Sequence, residues 1–289
     1  MVAAQSPISF CETSAWQAGT VAVTGGRLAY HRTGGGGPTL VLSHGLTDNG
    51  LCWNRFARAI AGEYDIVMLD ARGHGASSRM SIGAPHDPGR DIAEAIDRLG
   101  LKSPIVMGHS VGARATADFA GANPDVATCI VLEDPPLLPP ADKTDLQARR
   151  EKYRRHIAYL QALPDAEISA FGRAQSPDWH DEEFAAWVQG KRQVDPEAMP
   201  DYVITWQESL AAIRTPTLLI YGESERGGLV TVDIAERAMQ INPWIRAICI
   251  EGAGHNVRRE NFERFLSVVR AFLTENQKTR NIGEAIRGD

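Results

Sequence analysis

Short apolar segments rich in β-branched residues alternate along the chain with longer segments of helical periodicity. The segments that predict strands are 20–23, 27–31, 39–42, 65–69, 104–107, 127–132, 217–221 and 247–250. Residues 91–99 and 262–273 repeat apolar positions at helical spacing, which is typical of a helix with one face on a core. This alternation predicts an α/β fold with a mainly parallel sheet and helices on both faces. The periodicity is lost from about Gln277, where we expect a loose tail.

One long segment interrupts the alternation. Residues 137–212 carry helical patterning without a convincing strand pattern, and they contain Trp179, Trp187 and Trp206. A structureless loop of this length is uncommon inside a compact domain. We therefore predict a helical insertion over one edge of the sheet.

Composition and charge narrow the class of partners. The chain has 289 residues with 43% hydrophobic residues, and its 30 Lys+Arg against 36 Asp+Glu give a net charge of -6, which fits an ordinary globular protein. Its one basic run, 149–155, has acidic residues within and near it and is typical of a solvated helix face, so we expect no nucleic-acid partner. The sequence has no signal-peptide pattern, no apolar run of ~20 residues and no CxxC spacing. We expect a cytoplasmic protein that does not bind membranes.

The strongest chemical signal is the segment Gly108-His-Ser-Val-Gly112, which has the form G-x-S-x-G. A predicted strand precedes it and a small-residue helical pattern follows it, which is the context of a tight turn that exposes a serine hydroxyl above a sheet. Ser110 is therefore the candidate nucleophile. Serine needs a base to react at neutral pH.

Among the eight histidines, His255 has the position that a base requires. It lies between the last predicted strand and the last helix, and loops at the carboxyl ends of parallel strands share one edge of the sheet. The transition state also needs N–H donors for the developing oxyanion. We predict the backbone N–H groups of Leu46, in a glycine turn after a strand, and Val111, at the start of the helix after Ser110.

These motifs together resemble the α/β-hydrolase family over roughly residues 20–275. The matching segments are His44-Gly45, 70–77, Gly108-His-Ser-Val-Gly112 and Gly252-Ala-Gly-His255. The resemblance implies an eight-stranded, mostly parallel sheet with a helical cap after the sixth strand. The predicted domains are then a core of residues 1–136 and 213–289 and a cap of residues 137–212. It also implies that Asp70 and Arg72 stabilise a turn.

The resemblance leaves the acid of the catalytic triad open. The family's usual position is the loop after the seventh strand, three residues beyond a glycine, and counting from Gly222 gives Glu225. Some relatives, including zearalenone-type lactonases, carry a glutamate at the end of the sixth strand, which corresponds to Glu133. Asp134 is the third candidate. Whichever residue acts, it must lie at the same sheet edge to fix the histidine tautomer.

The sequence thus predicts a serine hydrolase that cleaves a small-molecule carboxylic ester or lactone through an acyl-enzyme on Ser110. Hydrolysis of a C–C bond, an amide or a carbamate by the same triad is the alternative, and a non-catalytic ligand-binding receptor of the same fold is a remote one. The sequence contains no HExxH motif, no paired-histidine metal spacing and no nucleotide-binding fingerprint, so we expect neither a metal nor a cofactor. The cap tryptophans suggest an apolar acyl or ring substrate.

Overall fold

The computed structural model describes the backbone of residues 16–81, 86–138, 143–200 and 204–287. Within these ranges, the side chains of residues 143 and 278–287 lie outside the description. The predicted core and cap ranges extend beyond the described residues, since they include residues 1–15, 82–85, 139–142 and 201–203.

Eight strands form one sheet in the order β1-β2-β4-β3-β5-β6-β7-β8. The strands are β1 (Gln17–Val23), β2 (Gly26–Arg32), β3 (Thr39–Ser43), β4 (Asp65–Leu69), β5 (Ile105–His109), β6 (Ile130–Glu133), β7 (Thr217–Gly222) and β8 (Ile245–Ile250). β2 pairs antiparallel with β1 and β4, and the other neighbours pair in parallel. Each predicted strand segment overlaps one of these strands, so the predicted fold class is confirmed.

Helices connect the strands. The α-helices are α1 (Asn54–Ile60), α2 (Pro88–Arg98), α3 (Val111–Ala122), α4 (Lys143–Ala162), α5 (Asp165–Gln175), α6 (Glu183–Gln193), α7 (Trp206–Ala212), α8 (Val232–Ile241), α9 (Val257–Glu260) and α10 (Phe262–Arg287). The expected loose tail from Gln277 is wrong, because α10 continues to Arg287. Apolar periodicity marks where a helix packs on a core, whereas polar residues with good helix propensity can extend the backbone helix further. None of the helices in the described ranges has the length and apolarity needed to cross a membrane.

The sheet separates two apolar cores. Along β4, Val67 enters one core while its neighbours Ile66 and Met68 enter the other, as expected when successive strand residues point to opposite faces. Phe119 of α3 belongs to the first core and Phe265 of α10 to the second. The strands are therefore buried on both faces, which explains why they read as continuous apolar runs.

Four helices, α4 to α7, lie between β6 and β7 in the chain, within the predicted insertion. No strand occurs in the described part of this insertion. Trp179 and Trp187 pack with Phe184 in a small apolar cluster of the insertion itself. Trp206 instead joins the main core on the α3 side of the sheet, so the three tryptophans do not form one group.

Candidate active site

Ser110 occupies the turn between β5 and α3 with φ 54° and ψ -123°, a conformation that is rare for a residue with a side chain. The turn needs glycine at both flanks: a Cβ on Gly108 would lie 2.3 Å from the Gly112 carbonyl oxygen, and one on Gly112 would lie 2.5 Å from the His44 carbonyl oxygen. The Ser110 N–H donates to the Glu133 carbonyl oxygen at 2.8 Å. The backbone thus fixes the serine at the carboxyl edge of the sheet.

His255 lies between Ser110 and a carboxylate. Its Nε2 is 3.0 Å from the Ser110 Oγ, and its Nδ1 is 2.6 Å from Oδ2 of Asp134. Since a carboxylate accepts hydrogen bonds, the Nδ1 atom carries the proton and Nε2 is left as the acceptor for the serine hydroxyl. The expected contact between Ser110 and His255 is therefore present, in the tautomer that a general base requires.

Asp134, the third of the three candidates for the acid, is the carboxylate that contacts His255. It follows β6 directly, is fully buried and has a φ of 41°. Its Oδ2 also accepts the Leu229 N–H at 2.8 Å, and its Oδ1 accepts the Val230 N–H at 3.1 Å. These bonds hold the carboxylate in the orientation that reaches the imidazole.

The geometry gives no support to Glu225 as the acid, because it makes no hydrogen bond with His255, which instead contacts Asp134. Glu225 lies on an exposed 3-10 turn, Ser224–Arg226, after β7. The loop after β7 supports the histidine indirectly, because it provides the two backbone N–H groups that bind Asp134.

Glu133, the alternative candidate, contacts Arg258 and makes no hydrogen bond with His255. Its Oε1 accepts the Arg258 backbone N–H at 2.9 Å, and its Oε2 accepts the Arg258 Nη1 at 3.0 Å. Burial raises the pKa of Glu133, and the neighbouring Arg258 opposes that shift. Glu133 is the last residue of β6, and these contacts with Arg258 occupy its carboxylate. The chain turns directly after it, where Asp134 has a φ of 41°, and Asp134 is the residue that contacts His255.

The two residues predicted as oxyanion donors lie at the expected positions. Leu46 is in the loop after β3 and lines the same cavity as Ser110, and Val111 is the first residue of α3. The N–H of a first helical residue has no partner inside its helix. The Leu46 carbonyl oxygen accepts a hydrogen bond from His74 Nε2 at 2.7 Å, which orients the peptide groups of this loop. The oxyanion role itself stays a prediction.

The cavity at Ser110 has a volume of about 240 Å³. The loops of the sheet contribute Gly45, Leu46 and His255 to its wall. The inserted helices α4, α5 and α6 contribute His156, Phe171, Gln175, Trp187 and Lys191, and Trp179 lies between α5 and α6. The insertion therefore forms much of the wall around the reactive serine.

Sequence reasoning missed a buried charged cluster in this wall, formed by Asp48, Lys191 and Arg259. Asp48 accepts from Arg259 Nη2 at 2.9 Å and from Lys191 Nζ at 3.3 Å. Burial alone would raise the pKa of Asp48, but Arg259 and Lys191 together hold it well below its usual range. Burial lowers the pKa of Lys191, and Asp48 opposes that shift. The available signal was Arg258-Arg259, a basic pair three residues after the predicted base.

Two further histidines beside the site are buried and neutral. His44 Nδ1 donates to the Gly45 carbonyl oxygen at 2.8 Å, and its Nε2 accepts the Ala71 N–H at 3.0 Å. His109 Nε2 lies 3.1 Å from the His255 carbonyl oxygen, to which it donates. Burial lowers the pKa of both imidazoles, and for His109 the Arg258 charge adds to the effect. His44 thus uses both ring nitrogens in hydrogen bonds, whereas His109 lines the cavity and its Nδ1 has no partner among the described residues.

The interpretation of Asp70 and Arg72 as turn-stabilising residues agrees with their contacts. Asp70 accepts the Gly50 N–H at 2.8 Å and the Ala76 N–H at 2.9 Å. Arg72 forms a buried ion pair with Asp91 at 2.7 Å. Across the described residues, no three His, Cys, Asp or Glu side chains are grouped in a way that could hold a metal ion.

Comparison with known proteins gives relatives along nearly the whole chain. N-formylmaleamate deformylase from Pseudomonas putida is 30% identical over 269 residues, which cover 88% of this chain and 96% of that protein. A 2-(acetamidomethylene)succinate hydrolase from Mesorhizobium japonicum is 25% identical over 260 residues, covering 84% and 90%.

Solved structures share the fold. The crystal structure of N-formylmaleamic acid deformylase from Pseudomonas putida S16 matches with a TM-score of 0.69 at 22% identity, covering 88% of this chain and 100% of that one. An esterase from Rhodococcus sp. matches with a TM-score of 0.70 at 22% identity, covering 90% and 98%. The model of a family described as the alpha/beta hydrolase family matches residues 40–268. The chain therefore belongs to the alpha/beta hydrolase family, and it is a hydrolase.

Proposed function

We propose that the protein is a serine hydrolase that cleaves the bond between an acyl carbon and nitrogen in a small amide-type substrate. The observation that supports it most directly is the hydrogen-bonded chain Ser110–His255–Asp134 at the wall of a cavity. The nature of the bond is supported by the two relatives, whose names describe molecules with an acyl group on nitrogen. This favours the amide alternative over the ester or lactone that was the first expectation.

In the proposed reaction, Ser110 Oγ attacks the acyl carbon while His255 Nε2 takes the hydroxyl proton. The Asp134 carboxylate stabilises the imidazolium that forms and keeps its orientation. The Leu46 and Val111 N–H groups donate to the oxyanion of the tetrahedral intermediate. The C–N bond then breaks as His255 returns the proton to the leaving nitrogen. Water activated by the same imidazole hydrolyses the acyl-enzyme and releases the carboxylic acid.

The inserted helices serve as a cap that sets which substrates enter. Their contribution to the cavity includes two tryptophans but also histidine, lysine and glutamine side chains. This mixed wall suits a compact polar substrate better than the apolar acyl or ring substrate that the tryptophans suggested on their own. The cap comprises residues 137–212, and the remaining residues of the fold form the catalytic core.

The experiment compares substrates that differ in the bond cleaved, two of which, 4-nitroacetanilide and 4-nitrophenyl acetate, share an acetyl group. The protein is assayed with 4-nitroformanilide, 4-nitroacetanilide, 4-nitrophenyl acetate and a vinylogous diketone, next to the Ser110→Ala variant. We expect anilide turnover that disappears with Ser110→Ala. Turnover of the ester alone would show that the protein is an esterase and contradict the amide proposal. Turnover of the diketone alone would support C–C hydrolysis.

A second measurement tests the nucleophile independently of the substrate. A fluorophosphonate probe should label Ser110 in the folded protein and leave Ser110→Ala unlabelled. Absence of labelling in the folded wild-type protein would contradict the nucleophile assignment and favour a non-catalytic, ligand-binding role.

A further inference from the structure

Two cationic side chains, Lys191 and Arg259, lie in the wall of the cavity that contains Ser110. They are 3% and 1% exposed, respectively. Burying a cation is costly unless hydrogen bonds and opposite charges compensate for the lost water. The hydrogen bonds that each cation makes within the protein therefore show which one can still bind a ligand.

Lys191 has no donor left for a ligand. Its Nζ donates to the Thr47 carbonyl oxygen at 2.8 Å, the Thr47 Oγ1 at 2.7 Å and Asp48 Oδ1 at 3.3 Å. An ammonium group has three N–H donors, so these contacts use all of them. Lys191 contributes its charge to the cavity but makes its hydrogen bonds within the protein.

Arg259 has N–H groups that make no hydrogen bond with the described residues. Its Nε donates to Glu183 at 3.2 Å, its Nη1 to Asn256 Oδ1 at 3.2 Å and its Nη2 to Asp48 Oδ2 at 2.9 Å. A guanidinium has five N–H donors, so one N–H on each terminal nitrogen has no partner among the described residues. These two groups belong to a side chain that lines the cavity.

Asn256 adds a third donor next to Arg259. Its Oδ1 accepts from Arg259, which leaves its Nδ2 group to donate, and the residue lines the cavity. Because Asn256 directly follows His255, these donors lie beside the base. Asp48 and Glu183 balance the charges of Lys191 and Arg259, so the unused N–H donors, and not a net positive charge, are what this wall offers to an anion.

Building on the proposed function, we propose that Arg259 and Asn256 form an anion subsite that binds a carboxylate group of the substrate next to the scissile bond. A guanidinium matches the planar geometry of a carboxylate and can bind it with two parallel hydrogen bonds. The substrate class is therefore a small N-acyl compound that carries a free carboxylate. The volume of about 240 Å³ restricts it to a compact molecule.

Binding to the Ser110→Ala variant tests the subsite without requiring turnover. Calorimetric titration with succinate and with neutral succinamide, at one ionic strength, compares a carboxylate with its amide analogue. We expect succinate to bind about 10- to 100-fold more tightly, as charge-assisted hydrogen bonds predict. Equal affinities would overturn the subsite. This result is independent of anilide cleavage, so failure of the subsite and failure of the proposed reaction are distinguishable.

Matched double variants locate the subsite. In the Ser110→Ala background, Arg259→Gln with Glu183→Gln removes the cavity-lining cation and its partner. Arg258→Gln with Glu133→Gln removes an equally buried pair of the same network, which lies outside the cavity wall. We expect the first to lose the preference for succinate and the second to keep it. Retention in the first, or equal loss in both, would overturn the assignment to Arg259.

A conservative variant covers the case in which the double variants do not fold. Arg259→Lys keeps the positive charge but loses the planar pair of donors. We expect the preference for succinate over succinamide to fall by about tenfold, in line with the loss of a charge-assisted hydrogen bond. An unchanged preference would overturn the proposed contact.

Discussion

Asp134 Oδ2 lies 2.6 Å from Nδ1 of His255, although the two residues are 121 positions apart in the chain. The sheet register explains how this carboxylate reaches the same sheet edge as the nucleophile. His109 of β5 pairs with Glu133 of β6, so the residues that follow them, Ser110 and Asp134, leave neighbouring parallel strands at the same level. Both have a positive φ, 54° and 41°, which turns each chain sharply at the sheet edge. The nucleophile and the carboxylate are thus positioned by one pair of adjacent strands.

Replacing Asp134 by Asn should lower kcat by about 10⁴-fold, the loss seen when the base of a comparable triad adopts the wrong tautomer. The amide can donate to Nδ1, so Nε2 would carry the proton and could not accept the serine hydroxyl. The matched control is Glu225→Gln, which changes an exposed carboxylate and should leave kcat within about twofold of wild type, as surface substitutions rarely matter. The measurement is kcat per mole of folded protein.

Glu133→Gln separates a structural from a catalytic role of the other candidate. Glu133 compensates the buried Arg258 at 3.0 Å, and removing one partner of such a pair costs about 3–5 kcal/mol. We expect a lower free energy of unfolding in urea, with kcat of the folded fraction within about tenfold of wild type. A loss of kcat as large as that of Asp134→Asn, without loss of stability, would contradict the assignment.

The strand and helix pattern could be predicted because it depends on local apolar spacing. Ser110 and His255 could be predicted because each lies in a glycine-bounded turn directly after a strand. The acid could not be singled out, since Glu133 and Asp134 are adjacent in the chain. Their difference lies in where β6 ends, in the turn at Asp134 and in the pairing of Glu133 with Arg258, which is 125 positions away, and single-sequence reasoning provides none of these.

The composition of the cavity wall is a second feature that could not be predicted from the sequence. Arg259 and Lys191 are 68 positions apart and meet only because α6 of the insertion packs near α9, with Asp48 between them. Helical periodicity indicated that the insertion is helical, but it does not indicate which helix faces the serine. The polar character of the pocket is therefore a product of tertiary packing.

Gly112→Ala should destabilise the fold and abolish turnover. The new Cβ would lie 2.5 Å from the His44 and Ser43 carbonyl oxygens, which are backbone atoms that cannot move aside cheaply. We expect a loss of about 1–3 kcal/mol or more in the free energy of unfolding, as for overpacked sites. Gly62→Ala is the control, since a Cβ there meets nothing within 4 Å, and it should change stability by less than about 1 kcal/mol.

Asp70→Ala should destabilise the protein without direct effect on the chemistry. The change leaves the N–H groups of buried Gly50 and exposed Ala76 without their acceptor, and an unsatisfied buried group such as that of Gly50 costs about 1–3 kcal/mol. Asp97→Ala, at an exposed position on α2, should have little effect. Urea unfolding of both variants provides the comparison, and equal midpoints would contradict the turn-stabilising role.

Stability should fall as the pH is lowered through about 6.5, because buried histidines take up protons only after unfolding. The pKa of His44 is lowered by burial, and its Nε2 is already occupied by the Ala71 N–H, so the folded state resists protonation. The unfolded state binds the proton near the ordinary histidine pKa of about 6.5. More protons are then bound by the unfolded state, and the free energy of unfolding decreases by up to about 1.4 kcal/mol per pH unit for each such histidine.

The His44→Asn variant isolates this contribution. Urea unfolding between about pH 5 and 7 lies above the range in which carboxylates such as Asp48 protonate on unfolding. In that window the variant should show a smaller decrease of stability per pH unit than wild type, by up to the contribution of one proton. His180→Gln, at an exposed position, should keep the wild-type slope because that side chain is solvated in both states. An unchanged slope in His44→Asn would show that His44 already takes up its proton in the folded protein.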